Sequence, residues 1–158
     1  MTVTFRDIGY DDPAAVALIE AVQQEYIARY GGRDETPVDT GEFAPPGGAF
    51  VVISEDGQPI GCGGLRRHDA VNAEIKRMYV RGTHRGRGHG RALLHTLEQR
   101  ARDLGYHRVV LETGTAQPEA LALYDAAGYA PITPYGIHRC TPSSRCFAKH
   151  LGDTRSPR

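Results

Sequence analysis

The stretch from residue 73 to residue 105 reads AEIKRMYV (73–80), RGTHRGRGHG (81–90) and RALLHTLEQRARDLG (91–105). Its first part alternates in polarity as a β-strand does, which predicts that Glu74, Lys76 and Met78 share one sheet face. Its last part places leucine and alanine at helical spacing and ends at Gly105, a residue typical of helix ends. The stretch therefore predicts a strand, a glycine-rich loop and a helix, in that order.

The loop between these two elements has the chemistry of an anion site. The first N–H groups of a helix have no partner within the helix, and the helix dipole attracts negative charge to them. Glycine lets the backbone approach a ligand closely. Four arginines add groups that hold phosphate oxygens, namely Arg81, Arg85, Arg87 and Arg91. We expect a pyrophosphate here, although neither the dinucleotide fingerprint G-x-G-x-x-G nor the phosphate loop G-x-x-x-x-G-K-[ST] occurs.

Strands and helices are also predicted on both sides of this stretch. Upstream we predict a strand, a helix that ends near Gly31, an acidic loop and a β-hairpin, at residues 3–8, 13–30, 33–48 and 49–66. Downstream we predict a buried strand, another helix and two extended segments, at residues 109–111, 118–127, 129–135 and 145–151. The acidic loop carries two prolines and two glycines at residues 45–48, so we expect it to be mobile and to bury little.

Composition limits the class of protein. The chain has 158 residues, of which 40% are hydrophobic and 24% are charged. This excludes a collagen-like, coiled-coil or wholly disordered chain and favours one globular domain, which we place at residues 1–151 with a frayed tail at 152–158. No signal-peptide pattern or long apolar run is present, which predicts a cytoplasmic protein without membrane contact. Three cysteines form no C-x-x-C pair, so we expect no disulfide framework.

The formal net charge is zero, but the charges are segregated along the chain. Residues 1–73 hold five basic and twelve acidic groups, whereas residues 74–108 hold nine basic and three acidic groups. The middle of the chain is therefore suited to an anion. The acidic loop carries Asp34, Glu35, Asp39 and Glu42, which would favour a cationic partner if they faced a binding site. A solvated acidic face explains the same charges.

The glycine-rich loop and the segments around it resemble the GNAT acetyltransferase superfamily. The acetyl-CoA loop of that family follows [QR]-x-x-G-x-[GA], and residues 85–90 here read RGRGHG. Four flanking segments match in order: AEIKRMYV and RALLHTLEQRARDLG on either side of the loop, then HRVVLETG (107–114) and PEALALYDAAGY (118–129). The LETG motif and the terminal segment SSRCFAKHL (143–151) resemble a bacterial subgroup. The resemblance implies an α/β domain with a mixed, mostly antiparallel seven-stranded sheet, splayed between the strands of Met78 and Leu111 and flanked by three to four helices.

The same resemblance implies acetyl-CoA as the acetyl donor and no metal. In similar enzymes, main-chain groups at the end of the strand hold the pantetheine arm, which here means Met78, Tyr79 and Val80. The loop amides cradle the pyrophosphate, and the corresponding residues are Arg85, Gly86, Arg87, Gly88, His89, Gly90 and Arg91. For the His89 side chain we expect an exposed position without an acid or base role.

The implied reaction is direct transfer to a primary amine in a ternary complex. Tyr124 would face the sulfur, and a phenol with an ordinary pKa near 10 could protonate the departing thiolate. Glu74 resembles the catalytic glutamate of the histone-modifying members and is the predicted base, although it could instead be the ion-pair partner of Lys76. Glu112 is the rival carboxylate. We expect Glu112, Thr113 and Tyr135 to contact the acceptor, which is a small-molecule or protein amine.

Three further hypotheses follow from the sequence. His138, Cys140 and Cys146 resemble metal ligands, but their spacing matches no compact metal motif, so we expect no metal. The basic loop could instead make the chain a non-catalytic module that binds CoA or nucleic acid. Residues 80–105 contain no aromatic side chain for base stacking, so we expect no nucleic-acid partner. The sequence leaves open whether the chain forms a homodimer.

Overall fold

A computed structural model describes residues 1–152, and its centre is a mixed seven-stranded sheet. The strands are β1 (Val3–Asp7), β2 (Ala49–Glu55), β3 (Gln58–Arg67), β4 (Asn72–Val80), β5 (Arg108–Gly114), β6 (Ala130–Ile132) and β7 (Ser144–His150). Their order in the sheet is β1-β2-β3-β4-β5-β7-β6. Strands β4 and β5 run parallel, and the other neighbours are antiparallel. The predicted fold class is confirmed, while the expected tail lies outside the described residues apart from Gly152.

The α-helices of the described residues are α1 (Pro13–Tyr30), α2 (His89–Asp103) and α3 (Pro118–Ala126). Helix α1 begins where sequence chemistry predicts, because the Asp12 carboxylate accepts a hydrogen bond from the Ala14 N–H at 2.9 Å. It ends at Gly31, whose φ of 81° suits glycine. Two short 3₁₀ helices cover Thr40–Phe43 and Gly82–His84. None of the helices in residues 1–152 combines the length and apolar character that crossing a bilayer requires.

Two hydrophobic clusters cover the two faces of the sheet. On one face, α2 packs on the strands, and the cluster includes Leu93, Leu94, Leu97, Ile75 and Leu111. On the other face lies α1, and the cluster includes Ala15, Leu18, Phe50, Val52 and Cys62. Successive residues of β2 alternate between the clusters, as the period of a strand requires.

Residues 33–48 are mostly exposed, as expected, but one of their side chains is deeply buried. Phe43, at the end of the first 3₁₀ helix, is 1% exposed. Its ring stacks on Tyr10 with the centroids 4.7 Å apart and meets the edge of Phe50 at 6.2 Å. A single aromatic side chain therefore anchors the segment to the α1 face of the sheet, although its prolines, glycines and acids are typical of a solvated loop.

A β-bulge in β4 overturns the predicted strand faces. Cys62 lies opposite Tyr79 and Gly64 lies opposite Lys76, so two residues of β4 occupy the space of one residue of β3. Arg77 within this bulge has a φ of 59°. The extra residue reverses the alternation, and Met78 packs with the α2-face cluster while Tyr79 packs with the α1-face cluster. The prediction that Glu74, Lys76 and Met78 share one sheet face is therefore wrong.

The sheet splays between β4 and β5. Their pairing ends at Ile75 opposite Leu111, although β4 continues to Val80 and β5 continues to Gly114. Beyond this last pair, no strand of residues 1–152 lies beside the edge of β4 that faces β5. The main-chain polar groups of this edge are therefore available to a ligand, apart from the Val80 oxygen, which accepts from Arg85. The splay lies between the strands of Met78 and Leu111, which confirms the predicted position.

Candidate functional site

Two cavities meet where β4 and β5 separate. The splay cavity, of about 350 Å³, lies between α1, β4, β5 and the chain before β7. The loop cavity, of about 270 Å³, lies along the end of β4, the residues 84–91 and α3. Both cavities are lined by Met78, Gln117, Ala120 and Tyr124. These four residues form the junction, which connects the two cavities into one continuous cleft across the edge of the sheet.

The loop cavity has the backbone geometry of an anion site. Gly86 and Gly88 adopt positive φ values of 78° and 83°, which glycine reaches without strain. Gly88 is the N-cap of α2 and offers no side chain to the first N–H groups of the helix. A Cβ built at Gly88 would meet no other atom within 4 Å, so its surroundings are open. Uncapped amides in an open cradle fit a phosphate group.

Acidic residues from the first third of the chain hold two of the loop arginines. Arg85 donates to the main-chain oxygen of Val80 and to the Glu25 carboxylate, each at 2.8 Å. Its guanidinium also lies 5.5 Å from the centre of the Tyr79 ring. Arg87 lies 3.5 Å from the Glu55 carboxylate. The loop is therefore tethered to α1 and to the end of β2, and part of its positive charge is compensated.

The expectation of an exposed His89 side chain is wrong. His89 is buried, with its Nε2 atom 3.3 Å from Oε2 of Glu55. Neither atom has a hydrogen-bond partner within residues 1–152. The start of α2 folds back against the β2–β3 hairpin, and this tertiary contact covers a side chain that local sequence places in a loop.

Tyr124 lies at the junction of the two cavities. The residue is 7% exposed. Its hydroxyl lies 4.0 Å from the sulfur of Met78, which is a weak hydrogen-bond acceptor. Burial raises the pKa of Tyr124 to about 12, so the hydroxyl keeps its proton at neutral pH. The predicted tyrosine thus stands, protonated, between the loop cavity and the splay cavity.

Glu74 lies outside the lining of both cavities. Its Oε1 accepts from Arg66 Nε at 2.9 Å, and its Oε2 accepts from the Tyr135 hydroxyl at 3.1 Å. The alternative hypothesis of a pair with Lys76 is wrong, because Lys76 pairs with Asp34. Tyr135, which is expected to contact the acceptor, also lies outside the lining of both cavities and is held by Glu74.

Glu112 and Thr113 line the splay cavity. The Glu112 Oε2 atom accepts from the Ser144 hydroxyl at 2.9 Å. Among the side chains of residues 1–152, no lysine, arginine or histidine nitrogen lies within 4.0 Å of this carboxylate. Glu112 is therefore a cavity carboxylate that no cation holds, in contrast to Glu74.

An ion cluster around Asp34 was not foreseen from the sequence. Asp34 lines the splay cavity, and its Oδ2 atom receives Lys76 Nζ at 3.1 Å together with Nη1 of Arg77. Its Oδ1 atom lies 3.2 Å from His138 Nε2. Burial alone would raise the pKa of Asp34, but Lys76, Thr36 and Arg77 hold it well below its usual range. The sequence gives little indication of this cluster, because Lys76 and Arg77 lie 42 and 43 residues away from Asp34 along the chain.

The other acids of the segment 33–48 do not line either cavity. Asp39 and Glu42 cap the first 3₁₀ helix, and Glu42 also pairs with Arg66 at 3.1 Å. Within the described chain, no group of three or more histidine, cysteine or acidic side chains could hold a metal ion. His138 contacts Asp34, Cys140 is exposed and Cys146 is buried.

Comparison with known proteins identifies the family. A model described as the acetyltransferase (GNAT) family matches residues 15–129. The chain belongs to the GNAT family. This GNAT chain is 34% identical over 139 residues to an IAA acetyltransferase of Azospirillum brasilense, which covers 87% of the chain and 91% of that protein.

Solved structures agree with this assignment. A structure from Klebsiella pneumoniae, described as an acyl-CoA N-acyltransferase, is 31% identical to the GNAT chain and superposes with a TM-score of 0.80 over 95% of this chain and 98% of its own. A GNAT acetyltransferase of Elizabethkingia anophelis with acetyl-CoA bound is 18% identical and shows the shared fold, with a TM-score of 0.69 over 94% of this chain and 97% of its own. Membership in the LETG subgroup stays a prediction.

Proposed function

We propose that the chain transfers the acetyl group of acetyl-CoA to an amine within a ternary complex. The observation that carries this proposal is the splay of β4 from β5, which joins an anion cradle to a second cavity through Tyr124. An acetyl donor and an acceptor could then meet at one point from two sides of the sheet edge. Holding two reactants in this way removes much of the entropic barrier to their reaction.

The residues of the loop cavity fit the donor. The open amides at Gly86, Gly88 and the start of α2 would hold the pyrophosphate, together with the Arg85–Arg91 loop. At Met78, Tyr79 and Val80, β4 would pair its main-chain groups with the amide groups of the pantetheine arm, apart from the Val80 oxygen, which Arg85 already occupies. This arrangement would bring the thioester to the junction beside Tyr124.

The proposed chemistry uses two side chains of the cleft. The bound ammonium group of the acceptor first gives a proton to Glu112, directly or through water. The neutral nitrogen then forms a bond to the carbonyl carbon, and the bond between that carbon and sulfur breaks. The sulfur takes the proton of the Tyr124 hydroxyl, the tyrosinate takes the second proton that the nitrogen loses, and Glu112 returns its proton to solvent. We favour Glu112 over Glu74 as the base because Glu112 lines the splay cavity and Glu74 is held by Arg66.

A binding experiment tests the donor site. Valine at Gly88 should abolish acetyl-CoA binding in a calorimetric titration, because φ of 83° strains a β-branched residue and displaces the amides. The matched control is Gly105→Val, which carries the same kind of strain at φ of 92° beyond the other end of α2. Unaltered affinity in Gly88→Val, or equal loss in the folded control, would contradict the assigned site.

A further inference from the structure

Two buried cations at one end of the splay cavity share a single carboxylate. Lys76 is 7% exposed and Arg77 is 5% exposed, and both line the cavity. Each donates to the same oxygen of Asp34. The Nε atom of Arg77 has no acceptor within residues 1–152. The cation pair therefore exceeds the charge of Asp34 by one unit, and Arg77 retains one donor without an acceptor.

The other charged groups of the cavity leave this local excess in place, because the carboxylate of Glu112 forms no ion pair with either cation within 4.0 Å. Arg33 adds a further cation, but it is half exposed and pairs with Glu20 at 2.8 Å. His138 lies on the other oxygen of Asp34 and adds positive charge when protonated. Burying an uncompensated cation is unfavourable, and an anionic group of a ligand would relieve that cost.

The carboxylate of Glu112 stands on the opposite strand of the same cavity. Lys76 follows Ile75 and Glu112 follows Leu111, the last residue pair of β4 and β5. The two side chains thus flank the start of the splay without forming an ion pair within 4.0 Å. The cavity presents a cationic end and a separate anionic group, which complements a molecule that carries both charges.

We infer that the acceptor is an amine that also carries a carboxylate, with the carboxylate bound by Lys76 and Arg77 beside Asp34. This inference rests on the proposed acetyl transfer and specifies its substrate class. The amine would lie toward Glu112 and the thioester. An acceptor that carries a carboxylate differs from the cationic acceptor that the acidic loop favours in the sequence. The difference arises because Lys76 and Arg77 compensate the charge of Asp34 in the fold.

Matched acceptors test this inference. The purified chain and acetyl-CoA are assayed for thiol release with amino acids, their primary amides and their decarboxylated amines, for example L-phenylalanine, L-phenylalaninamide and phenethylamine. The panel also includes L-histidine with histamine and 4-aminobutyrate with 4-aminobutyramide. We expect kcat/KM for the best carboxylate-bearing acceptor to exceed that of its amide and amine by about tenfold or more, since charge-assisted hydrogen bonds would be lost.

Variants of Lys76 then assign the preference to the site. Lys76→Met should reduce the ratio of kcat/KM between acid and amide by about tenfold, and Lys76→Arg should restore much of it because the charge returns. Arg67→Met is the matched control, since this cation is exposed at the outer end of β3. Unfolding temperatures of all variants verify that each chain is folded.

The outcomes separate the two proposals. Acetyl transfer to amines without preference for a carboxylate, or an unchanged ratio in folded Lys76→Met, would overturn the inference and leave the proposed function intact. Failure of every acceptor in the panel, together with failure to bind acetyl-CoA, would overturn the proposed function as well. Transfer confined to carboxylate-free amines would likewise exclude the carboxylate site.

Discussion

Tyr124 is held in place by packing and not by a strong hydrogen bond. Its ring meets Tyr129 edge-on with the centroids 5.7 Å apart, and among residues 1–152 its hydroxyl reaches only the sulfur of Met78. A carboxylate or carbonyl acceptor would compete for the proton, whereas a thioether competes weakly. The hydroxyl is therefore free to donate to an incoming acceptor atom at the junction of the cavities.

Tyr124→Phe should lower turnover by about 10²–10⁴-fold, the usual contribution of a general acid, while acetyl-CoA affinity stays near that of the unaltered chain. The ring and its packing remain, and the proton is lost. Rates are measured by thiol release under conditions in which chemistry limits turnover. Tyr106→Phe removes a hydroxyl that donates to the Gly47 carbonyl at 2.6 Å, where neither residue lines a cavity, and should retain full turnover. A fully active Tyr124→Phe enzyme would refute the acid assignment.

The two candidate bases differ in what they contact, so their variants should behave differently. Glu112→Gln should remove the plateau from the pH–rate profile, because the rate then follows the neutral fraction of the amine and keeps rising with pH. Glu74→Gln should keep the plateau but lower the free energy of unfolding by about 1–3 kcal/mol, since the half-buried Arg66 loses a charged partner. The opposite pattern, with the plateau lost only in Glu74→Gln, would transfer the role of base to Glu74.

At the scale of elements, the segment 33–48 is a structural part of the site. Phe43 fixes its end to the sheet, and Asp34 fixes its start to Lys76 and Arg77 in β4. His138 links the same carboxylate to the chain between β6 and β7. The start of the segment, at Arg33 and Asp34, thereby lines the splay cavity.

Gly48→Ala should test how tightly this segment packs. A Cβ at Gly48 would stand 2.1 Å from the Glu42 oxygen and 2.2 Å from the Leu65 oxygen, so main chain must move. We expect a loss of about 1–3 kcal/mol in urea unfolding, as for other overpacked sites. Gly47→Ala is the adjacent control, because no atom lies within 4 Å of its Cβ. Equal stability of the two variants would show that the segment is loosely attached.

For the whole molecule, folding largely cancels the segregation of charge along the chain. Glu25 pairs with Arg85, Glu55 approaches Arg87, and Asp34 holds Lys76 and Arg77. Acids from the first third thus compensate the basic stretch that suggested an anion partner. What remains is a short cradle of amides, which suits a compact diphosphate better than an extended nucleic acid.

A stability measurement distinguishes the two anions. Acetyl-CoA at about 100 times its dissociation constant should stabilise the fold by about 2.7 kcal/mol, by mass action on the native state. A random single-stranded oligonucleotide should produce no shift at physiological salt. The readout is the unfolding temperature, with Gly88→Val as the variant that loses the acetyl-CoA effect. Tighter binding of the oligonucleotide, with a steep salt dependence, would favour the nucleic-acid module instead.

Local chemistry of the sequence determined much of this protein. The strand, glycine-rich loop and helix at residues 73–105, the cap at Asp12 and the stop at Gly31 depend on neighbours a few residues away, and all occur in the fold. The same local signals place Tyr124 on a helix, whereas its position facing the donor was implied by the family resemblance; in the fold it lines the loop cavity. Family resemblance then placed the splay, which the pairing of β4 with β5 confirms.

Only the tertiary structure decided which charged groups meet. The bulge at Arg77 depends on the register of β3, and one extra residue reverses every later face of β4. The same limit applies to Asp34, whose partners Lys76 and His138 lie 42 and 104 residues away. Periodicity carries no information about such distant pairs, because it reports which face a residue occupies and not what that face contacts. Glu74 was therefore placed correctly on a strand, yet its contacts with Arg66 and Tyr135 became visible only in the fold.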